Sequence, residues 1–120
     1  MTLRGTVVRG KGEGRKIGYP TANITYTATV VPEPGVWAAR VHIGFSVHQG
    51  ATVVGMWQIE NGLPSLEVHL LDFDAMIYEK ECTVSLVEKI RDLQAFSDTK
   101  TLVEQIGKDV AAVKSALSTV

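Results

Sequence analysis

A single cysteine in 120 residues, Cys82, leaves no partner for an intrachain disulfide, and a reducing compartment fits. Its strand-like surroundings suit a small buried apolar group better than a nucleophile. No apolar run approaches the length that spans a bilayer, and Met1-Thr2-Leu3-Arg4-Gly5 opens without an apolar signal core. A cytoplasmic protein with no membrane partner is the expectation. Charge of one sign is lacking as well: 12 Lys and Arg meet 13 Asp and Glu, a net −1. Nothing there offers an extended polycationic face to a nucleic acid, so none is expected as a partner. His42, His48 and His69 show no metal-ligand spacing and read as surface or satisfied core residues, and no Ser-His-Asp order or Cys-His pair stands out. Repeats, low-complexity tracts and linkers are missing too, so residues 1–120 read as one domain with its own core.

What is present is mostly strand. Leu3 to Arg9, Gly35 to Ile43, Ala51 to Ile59, Leu66 to Phe73 and Cys82 to Ile90 are rich in β-branched and aromatic residues. Turn signals separate them at Pro32-Glu33-Pro34-Gly35, His48-Gln49-Gly50, Asn61-Gly62 and Phe73-Asp74-Ala75. Short strands at that spacing suggest a closed antiparallel barrel or a sandwich. The period then changes: Leu102, Val103, Ile106, Val110, Val113 and Leu117 form the stripe of an amphipathic helix, with Ser97-Asp98-Thr99 as candidate caps.

Charge is unevenly placed. Residues 1–19 hold five cations against Glu13 alone, while the rest of the chain carries a net −5. Within the basic segment, Gly10, Gly12, Gly14 and Gly18 alternate with Lys11, Arg15 and Lys16, and the run ends in Pro20-Thr21-Ala22-Asn23. Glycine lets backbone approach a ligand, and successive loop N–H groups form an anion-binding concavity. The Thr21 hydroxyl and Asn23 carboxamide are oxygen donors suited to a hard cation such as Mg²⁺. Together they describe a site for a metal-bound polyphosphate. The loop is neither a Walker A nor a dinucleotide fingerprint, because no Gly-Lys-Ser/Thr closes it and no crossover helix follows.

A second candidate comes from alternation. In Leu66-Glu67-Val68-His69-Leu70-Leu71-Asp72-Phe73, Leu66, Val68 and Leu70 share one face, and Glu67 and His69 share the other with Leu71 and Phe73. A carboxylate on a largely apolar face is costly unless partnered. Glu67 is therefore either a general base in a cleft or a partly exposed glutamate paired with a cation.

Taken together, four stretches resemble the riboflavin kinase family. These are Gly5-Thr6-Val7-Val8-Arg9-Gly10 through Gly18-Tyr19-Pro20-Thr21-Ala22-Asn23, then Pro34-Gly35-Val36-Trp37-Ala38, then the Glu67 strand, and finally Tyr78 to Phe96 with the helix behind it. The resemblance implies a mainly β fold, a six-stranded antiparallel Greek-key barrel with a C-terminal α-helix packed on it. It implies transfer of the ATP γ-phosphate to the 5′-hydroxyl of riboflavin by a monomeric enzyme whose small-molecule substrates are riboflavin and ATP. Carried over by motif, Gly10, Gly12, Gly14, Arg15, Lys16 and Gly18 would cradle the nucleotide, and Thr21 and Asn23 would hold Mg²⁺ and phosphate. Glu67 would accept the hydroxyl proton and Arg91 would lie beside the flavin.

The chain departs from the family pattern at Met56-Trp57-Gln58-Ile59-Glu60-Asn61-Gly62, at Tyr78-Glu79 and at Arg91-Asp92-Leu93, where a glutamate is usual. These departures gather on the flavin side and leave open two alternatives: a non-catalytic flavin- or nucleotide-binding barrel, or a kinase for another small alcohol. No adenylyltransferase segment is recognised, so FAD synthesis is not expected.

Overall fold

Alternation decides which side chains face inward. In the strand Pro64–Leu70 (β5), Pro64, Leu66, Val68 and Leu70 are buried while Ser65, Glu67 and His69 are half-exposed, the two-residue period of a sheet wrapped round a core. The computed structural model describes residues 1–8, 18–58, 62–71 and 79–118, the side chains of residues 57 and 58 excepted. Five further strands share the pattern: Thr2–Val8 (β1), Ala22–Thr27 (β2), Gly35–Ile43 (β3), Ser46–Gln58 (β4) and Glu81–Arg91 (β6). The helix Thr99–Leu117 (α1) follows.

The strands close into a barrel in the order β1-β2-β5-β4-β3-β6, every neighbour antiparallel. Strands β3, β4 and β5 are successive neighbours and β6 returns beside β3, which is the Greek-key path. Leu3, Val7, Ile24, Tyr26, Val41, Val54, Leu66, Val68 and Val84 fill the interior. Each large aliphatic side chain so buried contributes about 1.5–3 kcal/mol.

A second, smaller apolar cluster lies outside the barrel. Ala38 of β3, Ala51 of β4 and Leu71 meet Val113 and Leu117, so α1 covers the outer face of β3 and β4. Small residues at 38 and 51 let the helix approach. Asp98 caps it, its Oδ1 accepting the Thr101 N–H at 2.7 Å. No helix among the described residues is long and apolar enough to cross a membrane.

Of the strand assignments made from periodicity, Gly35 to Ile43 is observed as read and the others hold with shifted ends wherever those ends are described (Arg9, Ile59 and Phe73 lie outside the described residues), and two features differ. Strand β2 is an additional strand, with Ile24 and Tyr26 pointing inward and Thr25 and Thr27 outward. The turn expected at His48-Gln49-Gly50 is overturned, because these residues lie inside β4. The real turn is Gly44-Phe45, where Gly44 adopts φ 59° and Ile43 pairs with Ser46. Gly50 serves packing instead of turning: a Cβ there would lie 2.7 Å from Val68 Cγ1 and 3.1 Å from Val41 Cγ2. Asn61 and the Phe73-Asp74-Ala75 signal fall outside the described residues.

Candidate active site

Strand pairing brings the two strongest candidates together. Asn23 and Glu67 are direct cross-strand partners in the β2–β5 seam, which contains only one other pair, Ala22 with Val68. Opposed residues point to the same face with Cβ atoms about 5 Å apart. Because Val68 points inward, Asn23 and Glu67 point out of the barrel, each half-buried.

Register extends this pair into a row. Val8 lies opposite Asn23 on one side, and Val53 opposite Glu67 on the other. Val53 pairs with Val36, and Val36 with Arg91 across a bulge. The outward-facing positions are therefore Val8, Asn23, Glu67, Val53, Val36 and Arg91 in line, with Val36 itself covered at 4% exposure. At the usual strand spacing, Arg91 stands about 14 Å from Glu67. A carboxamide and a carboxylate sit at one end of the line and a guanidinium at the other, with two valines between. Of the two valines, only Val53 keeps part of its surface open.

So short a seam needs support, and the side chains supply it on both faces. Inside the barrel, the Tyr26 hydroxyl donates to the Pro64 carbonyl at 2.7 Å, and burial pushes its phenol above the ordinary range. Outside, His69 Nδ1 meets the Pro20 carbonyl at 2.8 Å, and the Tyr19 ring packs edge-on against the imidazole at 5.4 Å. Thr21 follows Pro20 directly and is exposed. Gly18, at φ 88°, turns the chain into Tyr19 through a left-handed conformation that glycine adopts without strain.

Among the nominated nucleotide residues, Asn23 is placed opposite Glu67, while Gly18 and Thr21 lie on the segment that leads into β2. Gly10, Gly12, Gly14, Arg15 and Lys16 lie outside the described residues, although the stems of their loop are placed: Val8 opposite Asn23, and Gly18 two residues before Pro20. The Thr21 hydroxyl and the Asn23 carboxamide oxygen form an oxygen pair, the chemistry Mg²⁺ selects when phosphates supply its remaining ligands. No group of three or more His, Cys, Asp or Glu with metal-binding geometry occurs among the described residues.

Arg91 is held firmly. Its Nε and one terminal nitrogen donate to the two carboxylate oxygens of Asp109, each at 2.8 Å, and the other terminal nitrogen donates to the Asp92 carbonyl at 3.0 Å. Phe96 lies under the guanidinium at 5.8 Å. Asp109, on α1 and 4% exposed, also accepts from Gln105 at 3.0 Å. This fork fixes the helix to the end of β6. Sequence reasoning passed over Asp109, yet a signal was there: it falls within the helix's apolar stripe, three residues after Ile106 and four before Val113. Cys82 is buried, and burial pushes its thiol up, so it is chemically quiet as expected.

A groove of about 660 Å³ opens elsewhere, over β1, β2 and β6, lined by Arg4, Thr6, Thr25, Thr83 and neighbours. It contains none of the nominated residues.

Comparison with known proteins gives a consistent result. The family model for riboflavin kinase matches residues 1–117. A bifunctional riboflavin kinase/FMN adenylyltransferase of Buchnera aphidicola is 37% identical over 124 residues, covering 95% of this chain and 38% of that protein. The chain likewise spans about a third of the length of the Bacillus subtilis protein of the same description, at 33% identity. Among solved structures, a macrolide-efflux protein from Streptococcus pneumoniae superposes with a TM-score of 0.86 at 32% identity, over 94% of this chain and 38% of that one. The riboflavin kinase of Trypanosoma brucei shares the fold, with a TM-score of 0.69 at 22% identity over 98% of this chain and 80% of that one.

Proposed function

We propose that this chain, which belongs to the riboflavin kinase family, transfers the γ-phosphate of ATP to the 5′-hydroxyl of riboflavin, giving FMN and ADP. The observation that carries the reading is the register of β2 on β5, which sets Asn23 against Glu67 beside the stems of the basic glycine loop. Phosphoryl transfer asks a protein mainly for positioning and charge neutralisation.

Each residue then has a task. Thr21 Oγ1 and Asn23 Oδ1 would hold Mg²⁺, which neutralises charge on the polyphosphate when bound. Arg15, Lys16 and the amides of Gly10, Gly12, Gly14 and Gly18 would cradle the β- and γ-phosphates. The Glu67 carboxylate accepts the proton of the ribityl hydroxyl as that oxygen forms its bond to the γ-phosphorus. The bond from that phosphorus to the β-phosphate bridging oxygen breaks, and ADP leaves. Val53 offers apolar contact along the row, and Arg91, already forked onto Asp109, borders the flavin with its position fixed in advance.

One reaction mixture tests this. Purified protein with Mg²⁺, riboflavin and several nucleoside triphosphates should yield FMN, separated by chromatography, with ATP consumed. Tight flavin or nucleotide binding without FMN would select a binding barrel instead. Phosphorylation of a different alcohol in an acceptor screen would move the activity to another substrate.

A further inference from the structure

We propose that His69 is a positioning residue for the Thr21–Asn23 oxygen pair, acting through a hydrogen bond from its protonated Nδ1 to the Pro20 carbonyl. The inference rests on the kinase reading for its consequence, and on geometry alone for its existence.

The argument starts from the ladder. Strand β2 pairs with β5 at Asn23–Glu67 and Ala22–Val68, and one step further along the same register Thr21 would face His69. The ladder stops short of that step. Pro20 has no N–H to contribute, and its ring constrains the backbone where the chain enters the strand. Its carbonyl would be left without a strand partner, and His69 supplies one from the side chain at 2.8 Å. A carbonyl oxygen only accepts, so Nδ1 carries the hydrogen and the choice of tautomer follows.

The strand and the Tyr19 ring hold the imidazole in place. Its backbone lies in β5 opposite Ala51 of β4. Tyr19 packs edge-on at an interplanar angle of 82°. The Tyr19 hydroxyl in turn lies against α1 at Gly107, where an added Cβ would stand 3.6 Å away. A line of contact therefore runs from the helix through Tyr19 and His69 to the peptide immediately before Thr21. Thr21 is exposed and has no strand pairing of its own, so this clamp sets the position of the peptide that carries its hydroxyl relative to Asn23. Groups that orient metal ligands from one bond away typically govern metal affinity by 10–100-fold.

Two measurements decide it. Long-range nitrogen–proton NMR on the ligand-free protein at about pH 8.5, where an ordinary imidazole is neutral, should show His69 protonated on Nδ1. Protonation on Nε2 alone would overturn the proposal. Calorimetry with ADP should then show Mg²⁺-ADP binding weakened about tenfold or more in His69→Gln, with metal-free ADP affinity unchanged. His69→Asn should bind like the parent, because its amide nitrogen takes the place of Nδ1 whereas that of glutamine lies one carbon further out. Equal Mg²⁺-ADP affinity in the parent and both variants would refute the clamp. A parent that binds no nucleotide would sink the kinase reading, and the NMR result would still decide the hydrogen bond.

Discussion

Asp109→Ala is the most demanding test of how the helix is fastened. The carboxylate is 6% exposed and the Arg91 side chain 21% exposed, joined by two parallel 2.8 Å bonds, with Gln105 donating a third. Removing one partner of a fully buried pair costs about 3–5 kcal/mol, because the other charge is left desolvated. Here a fifth of the Arg91 surface stays in water and its bond to the Asp92 carbonyl survives, so the expected cost is about 2–4 kcal/mol. A domain of this size has a total stability of about 6–18 kcal/mol and an unfolding entropy near 0.25 kcal/mol/K, which converts that loss to a drop in Tm of about 8–16 °C. Urea and thermal denaturation of Asp109→Ala, Arg91→Met and the double variant give the coupling directly. The double variant should be less destabilised than the sum of the singles by more than about 1.5 kcal/mol. Additive singles, or Asp109→Ala within about 0.5 kcal/mol of the parent, would show that the fork does not hold the helix.

Three other outcomes follow from local geometry. Gly107→Ala should stabilise the protein by up to about 1 kcal/mol, since helix propensity improves and the new Cβ meets only the Tyr19 hydroxyl, at ordinary contact distance; a loss in Tm would contradict this. Thr52→Val should be neutral or stabilising by up to about 1 kcal/mol in urea denaturation, because the Thr52 Oγ1 is buried with no partner among the described residues; clear destabilisation would reveal a bond the geometry does not show. The Asp98 carboxyl is held below its usual range by the Thr101 backbone N–H. Its capping contribution is then complete above the unfolded value near pH 3.9 and is lost as pH falls through the lower folded value. The Tm gap between the parent and Asp98→Ala should close in acid, and a gap constant down to about pH 2 would be inconsistent with the cap.

Much of this architecture could be read from residue order, and the exceptions have physical causes. The helix was legible because its stripe and its cap residue Asp98 agree. The outward placement of Glu67 was legible because β5 alternates without interruption. Strand β2 was harder, since Pro20-Thr21-Ala22-Asn23 reads locally as a fixed turn and only the alternation of Ile24 and Tyr26 reveals the strand behind it. Gly50 misled for a related reason: a glycine required by close packing against Val41 and Val68 is indistinguishable in sequence from one required by a turn. What no local pattern supplies is pairing. That Asn23 faces Glu67, that His69 meets Pro20 and that Arg91 forks onto Asp109 are relations across 44, 49 and 18 residues, fixed by strand pairing for the first two and by helix docking for the third.

The proposed mechanism turns on Glu67, set by register opposite Asn23, taking the proton from the acceptor hydroxyl. Single-turnover measurement of FMN formation by Glu67→Gln, with Mg²⁺-ATP and riboflavin both saturating, tests it most directly. The account predicts a chemical step slower by about 10²–10⁴-fold while both substrates still bind. A single-turnover rate equal to that of the parent would contradict it.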